Sequence, residues 1–150
     1  MRPIEKPLNG RRTVVAGAVA LLAGMLYSPA WAQPASRAPE RKWYDSAVEM
    51  RRLALSWGDQ PYGAVLVVDG ALVGQGPSRV VKNQDPDAHA EREAIRDAQT
   101  RLGRQRLPGA VLYSTSRPCG VCEAAAARAG VSRMFFGASL TDAGIPGQPR

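Results

Sequence analysis

Ala110-Val111-Leu112-Tyr113-Ser114-Thr115-Ser116-Arg117-Pro118-Cys119-Gly120-Val121-Cys122 changes character halfway along its length. The run from Ala110 to Ser114 is aliphatic and aromatic without a break, as short buried strands are. Small polar residues follow, and Pro118 presets the backbone where a helix opens. The Ala-rich stretch from Cys119 to Ala129 continues that helix, and Gly130 closes it. A strand hands over to a helix here, and the chain's two cysteines lie at the handover.

The same switch occurs upstream. Asp85-Pro86-Asp87-Ala88-His89-Ala90-Glu91 opens on helix-start residues and contains the one histidine of the chain. The pattern predicts a helix from Ala88 to Leu102, with Ala90, Ala94, Ile95 and Ala98 as its buried stripe and Gly103 as its stop. Before it, Ala64-Val65-Leu66-Val67-Val68, the tight-turn pair Asp69-Gly70, and Ala71-Leu72-Val73-Gly74 read as an antiparallel hairpin. Gln75 to Asp85 reads as a loose connection. Trp43 to Trp57 has a helical apolar period and ends at Gly58, and Val131 to Phe136 is expected to be the last strand. Beyond it the chain is expected to trail off through Gly144, Pro146, Gly147 and Pro149. There is no internal repeat. The order α-β-β-α-β-α-β implies one mixed sheet with helices on its faces.

Residues 1–32 read as a secretory signal peptide. Arg2, Lys6, Arg11 and Arg12 stand against Glu5, an uncharged run from Thr13 to Leu26 follows, and Ala30-Trp31-Ala32 offers a small-x-small cleavage site. The alternative is an uncleaved anchor, but the apolar run is short for a hydrocarbon layer about 30 Å thick. The expected location is therefore periplasmic or secreted, without stable membrane anchoring. The pair Arg11-Arg12 resembles a twin-arginine signal, used by proteins that cross already folded. Residues 33–42, rich in Pro, Ala, Arg and Ser, read as a flexible linker, leaving residues 43–150 for one domain.

The whole chain carries a formal charge of +7; residues 33–150 keep 16 Lys and Arg against 12 Asp and Glu, or +4. The densest basic stretch, Arg92 to Arg106, has the spacing of a solvated helix face, and no aromatic residues interleave with it to stack single-stranded bases.

Zinc takes four protein ligands in structural sites and three plus an open position in catalytic ones. His89, Cys119 and Cys122 offer three, and the sequence has no further His or Cys to close the shell. Two thiolates and a neutral imidazole balance one Zn²⁺, and a water at the open position becomes acidic. Glu91, two residues after His89, is left over as a carboxylate able to move a proton between that water and a substrate. Separately these signals have blander meanings. A single histidine is usually a surface or satisfied core residue, and Cys-x-x-Cys in an exported chain is often a disulfide or redox pair.

His-x-Glu followed by Pro-Cys-x-x-Cys is the signature of zinc nucleobase deaminases. From Pro61 to about Gly137 the chain resembles the cytidine/deoxycytidylate deaminase superfamily, nearest to its guanine deaminase and tRNA adenosine deaminase branch. Besides the two motifs already quoted, Pro61-Tyr62-Gly63-Ala64-Val65-Leu66-Val67 carries the likeness. The resemblance implies a three-layer α/β/α sandwich around a mixed sheet, C-terminally short because relatives continue for one or two helices where this chain ends. It implies one Zn²⁺ per chain on His89, Cys119 and Cys122, Glu91 as proton shuttle, and the Ala90 backbone N–H as a substrate contact. Ser78 occupies the place of a base-binding Asn, and Arg117 that of a Glu.

Together these readings give an exported zinc-dependent hydrolytic deaminase of a free nucleobase or nucleoside. Export argues against nucleic acid as the partner, and a homodimer is compatible with the sequence. The alternatives are a deaminase of nucleic acid or of a modified metabolite, a thioredoxin-like redox protein using Cys119 and Cys122, and a zinc-stabilised binding module.

Overall fold

A computed structural model describes residues 38–148. The signal-peptide reading, with Arg11, Arg12 and Ala32, and most of the linker reading lie outside those residues. Helix α1 (Arg41–Ser56) leads into strands β1 (Gly63–Val68) and β2 (Ala71–Pro77) and the short helix α2 (Val80–Asn83). Helix α3 (Ala90–Leu102), strand β3 (Val111–Ser114), helix α4 (Gly120–Ala129) and strands β4 (Arg133–Phe136) and β5 (Thr141–Gly144) complete it. Among the described residues no helix is long and apolar enough to cross a membrane.

The five strands form one sheet in the order β2-β1-β3-β4-β5. Strands β3 and β4 are parallel, joined through α4, and every other neighbouring pair is antiparallel. Because strand side chains alternate between faces, the sheet divides its core in two. Val65, Val67, Tyr113 and Phe135 pack with Ala47 of α1 on one side. Leu66, Leu112 and Met134 pack with Ile95 and Ala98 of α3 and Ala126 of α4 on the other. The result is the expected three-layer sandwich.

The alanine stripe on α3 has a counterpart that the sequence reading passed over. Gly74 and Gly76 of β2 face α3 so closely that a Cβ on Gly76 would stand 2.0 Å from the Ala90 carbonyl oxygen, and one on Gly74 2.2 Å from that of Ala94. Only glycine allows this approach, which seats the first turn of α3 against the sheet.

Three elements differ from expectation. Strand β2 runs on to Pro77 instead of stopping at Gly74, because Gly74-Gln75-Gly76 carries no apolar run to announce a strand. Helix α2 is too short to show a period. Strand β5 forms where the chain was expected to trail off. It is held by buried Ala143 and by a paired contact between the Arg133 guanidinium and the Asp142 carboxylate. Helices α3 and α4 also begin one or two residues later than expected, at Ala90 and Gly120, so His89 and Cys119 are their N-cap residues.

The joint between α1 and α2 is built on Asp59, which is 6 % exposed. It accepts hydrogen bonds from the Gln60 N–H at 2.7 Å, the Lys82 N–H at 2.8 Å and the Ser78 hydroxyl at 2.9 Å. Burial acts to raise its pKa, but the Lys82, Gln60 and Ser78 donors outweigh burial and hold it below the ordinary value of 3.8.

Two outcomes are expected in urea unfolding. Gly76→Ala destabilises by about 1–3 kcal/mol, as overpacking does, whereas Gly120→Ala, where a Cβ meets nothing within 4 Å, is neutral or mildly stabilising. Equal midpoints for the two variants would contradict the close approach. A lowered pKa stabilises the fold above the unfolded value and loses that effect as pH falls through the folded value. The stability gap between wild type and Asp59→Asn is therefore widest at neutral pH and closes below about pH 4; a gap independent of pH would remove Asp59 from this role.

Candidate metal centre and active site

Two helix beginnings meet at the site. Asp85 accepts a hydrogen bond from the Asp87 N–H, and its carbonyl accepts one from the Ala88 N–H, so the chain turns tightly into α3. His89 is then extended (φ −63°, ψ 150°) and its carbonyl accepts the Glu93 N–H. Cys119 plays the same part for α4, extended at φ −78°, ψ 168°, with its carbonyl accepting the Glu123 N–H. Pro118 fixes the entry to that turn. Both helix N-termini direct their partial positive charge at the site, which favours anionic sulfur.

The donors converge. His89 Nδ1 lies 3.5 Å from Cys119 Sγ and 3.4 Å from Cys122 Sγ, and the two sulfurs are 3.4 Å apart. All three lie within 4.8 Å of one another. A tetrahedral ion with Zn–S of about 2.3 Å and Zn–N of about 2.0–2.1 Å has donor–donor edges of roughly 3.6–3.8 Å. The observed triangle matches these edges to within a few tenths of an ångström, and the residues present fit zinc.

The electrostatics point the same way. Burial, the Glu91 carboxylate and the neighbouring Cys119 thiol all push the Cys122 thiol upward in pKa. Without a cation this sulfur keeps its proton; a zinc ion supplies the charge that removes it.

Glu91 is 5 % exposed and lies beside this triangle. The Ser114 hydroxyl, buried at the end of β3, donates to its Oε1 at 2.8 Å, and the Cys122 thiol approaches its Oε2 at 3.5 Å. One oxygen is thus anchored and the other faces the metal donors. A cavity of about 240 Å³ opens over them, lined by Gln60, Tyr62, His89, Ala90, Glu91, Ser116, Arg117 and Cys119.

His89, Glu91, Cys119 and Cys122 are brought together as the sequence suggested, and Ala90 lies in the cavity wall. Ser78 does not. It is fully buried, its hydroxyl held by Asp59, and it is absent from the lining. Its backbone N–H donates to the Tyr62 carbonyl at 3.1 Å, so its effect on the cavity passes through the Gln60–Tyr62 wall. The sequence reading overlooked Ser114, Gln60 and Tyr62. Ser114 alone left a trace, as the hydroxyl that ends an apolar strand.

A model of the cytidine and deoxycytidylate deaminase zinc-binding region matches residues 38–138. The chain is 46 % identical over 78 residues to the tRNA-specific adenosine deaminase of Agrobacterium fabrum, covering 52 % of this chain and 51 % of that one. It is 41 % identical over 87 residues to the guanine deaminase of Bacillus subtilis, covering 58 % and 56 %. It spans little more than half the length of these curated relatives. Among solved structures, Bacillus subtilis guanine deaminase superposes with a TM-score of 0.63 at 34 % identity, over 67 % of this chain and 65 % of that one. A structure from work on A-to-I editing by tRNA:A34 deaminases gives 0.63 at 39 % identity, over 65 % and 71 %. The matched region holds all three metal donors and Glu91, and the chain belongs to the cytidine and deoxycytidylate deaminase family.

Proposed function

We propose that the protein is a zinc-dependent hydrolytic deaminase that replaces the exocyclic amino group of a nucleobase ring by a carbonyl oxygen and releases ammonia. The observation that carries this reading is Glu91: a buried carboxylate with one oxygen tied to Ser114 and the other turned toward three metal donors. His89, Cys119 and Cys122 would hold the zinc ion, whose bound charge makes water a nucleophile at neutral pH. Glu91 would take one proton from the attacking water and pass it to the ring nitrogen, then take the second from the hydroxyl of the adduct and pass it to the amino group, which leaves as ammonia while the carbonyl forms. The Ser114 hydroxyl keeps its carboxylate aimed during both transfers. Ala90, Gln60 and Tyr62 line the space into which the ring would fit.

The cavity volume suits a single base ring, and the first reading of the substrate is a free base or nucleoside, supported by the guanine deaminase relative. A second reading is an adenosine within RNA, favoured by the tRNA-specific relatives. They leave the sequence-based exclusion of nucleic acid without support. The redox alternative for Cys119 and Cys122 gives way to family membership and to the imidazole set against both sulfurs. We also propose that residues 1–32 direct the chain out of the cytoplasm, the support being their basic, apolar and small-residue segments.

Glu91→Gln is expected to keep its fold and one zinc per chain while turnover falls by about 10²–10⁴. Ammonia release from guanine, adenosine, cytosine, cytidine and an adenosine-containing RNA stem-loop, run beside metal analysis, checks this. Undiminished turnover in the variant would remove Glu91 from the chemistry, and no ammonia from any substrate with zinc-loaded wild type would end the deaminase reading. For export, replacing Arg11 and Arg12 with Lys is expected to leave the protein in the cytoplasm with its N-terminus intact. Normal release of the variant would assign the general secretory route, and an uncleaved cytoplasmic wild type would end the export proposal.

A further inference from the structure

The cavity is lined by one carboxylate and one guanidinium, Glu91 and Arg117. Glu91 is buried beside the metal donors, whereas Arg117 is exposed. Arg41, Arg92, Arg96, Arg101 and Arg133 each hold a carboxylate; among the described residues Arg51, Arg104 and Arg128 hold none, as Arg117 does not, but Arg117 is the one of these four that lines this cavity. Among the described residues Arg117 has no such partner and donates no hydrogen bond. Its backbone is restricted by the following Pro118, and Ser116, Gln60 and Tyr62 share the same lining.

We propose that Arg117 is the specificity-determining residue of this site and that it binds a phosphate carried by the base-bearing substrate. The inference rests on the deaminase reading and narrows its substrate class. A guanidinium can pair with a base edge such as guanine O6 and N7, but the base ring belongs over the buried Glu91 and the metal donors, whereas Arg117 is exposed. Phosphate is the anion that nucleosides carry, and the planar fork of arginine matches it with two parallel hydrogen bonds. The cavity holds about 240 Å³, less than the roughly 300–1,000 Å³ of pockets that enclose a whole drug-sized ligand. It takes in a ring and leaves the sugar and its 5′ substituent toward the exposed side, where Arg117 stands. Glu91, the one acidic group of the lining, lies buried beside the metal donors. Exposure limits the effect to a preference of tens-fold, and salt screens it.

The test compares kcat/KM for a nucleoside, its 5′-monophosphate and a short single-stranded oligonucleotide containing it, using full-length zinc-loaded protein at low and high salt. A phosphate-bearing substrate is expected to exceed the nucleoside tenfold or more at low salt. Arg117→Gln is expected to collapse that ratio toward one, and Arg117→Lys to keep part of it. A gain with the monophosphate assigns the phosphate to a free nucleotide; a gain confined to the oligonucleotide assigns it to a nucleic-acid backbone. No ratio in wild type, or a ratio undiminished in Arg117→Gln, overturns the proposal. Should no ammonia be released at all, the deaminase reading fails by itself, and calorimetric titration of the same proteins with nucleoside and monophosphate then decides about Arg117. Tighter binding of the monophosphate that is lost in Arg117→Gln upholds it, and equal affinities overturn it.

Discussion

A thiol enclosed by protein and set beside a carboxylate becomes a thiolate only where a cation is close enough to offset both. Cys122 is in that position: burial and Glu91 both favour its protonated form. The two features that oppose ionisation are a sulfur shielded from solvent and a carboxylate 3.5 Å from it, and both would suit the proposed zinc-dependent hydrolysis. The two helix N-termini offset this opposition in part, and a zinc ion on His89, Cys119 and Cys122 would supply the rest of the positive charge. Metal affinity and pH are linked here, since each sulfur must lose a proton as the ion enters.

Everything that delivers the donors serves this constraint. Gly74 and Gly76 remove the side chains that would hold α3 off the sheet, and the small residues Ala90, Ala94 and Ala98 let the helix settle there. The first turn of α3 is thereby fixed against β2. The parallel pair β3–β4 places α4 on the same face as α3, which brings the two helix beginnings together. With His89 and Cys119 as N-caps, the residues that open the helices are also ones that could hold a zinc ion. Cys122 and Glu91, inside the first turns, complete the set from the helical side.

Much of this was legible in the sequence. Strand β1, the Asp69-Gly70 turn and helices α3 and α4 show in apolar period and punctuation, and His89, Glu91, Cys119 and Cys122, each ambiguous alone, point to one metal site in combination. What remained hidden depends on tertiary contact. The end of β2 consists of glycines chosen for a neighbouring helix, so nothing local marks it as a strand. Strand β5 rests on one buried alanine and an ion pair with β4, neither visible as a period. Ser78 was legible as a position but not as an orientation: its hydroxyl turns inward to Asp59, away from the cavity. Ser114 and the Gln60–Tyr62 wall acquire meaning only once β3, the end of α1 and the start of α3 stand side by side.

The same geometry makes the donors vulnerable. Cys119 and Cys122, with sulfurs 3.4 Å apart, are close enough to be oxidised as a pair, and oxidation consumes two of the three metal donors. Metal binding and disulfide formation therefore compete for the same atoms, and the outcome depends on which comes first. In a reducing compartment the ion wins, because the free thiols persist until the fold has assembled His89 against them. In an oxidising compartment the unfolded chain presents the two cysteines three residues apart before His89 is near. An exported chain of this design is protected if it folds and takes up its metal before it crosses. On the proposed export of this chain, that order would give the Arg11-Arg12 pair a physical purpose.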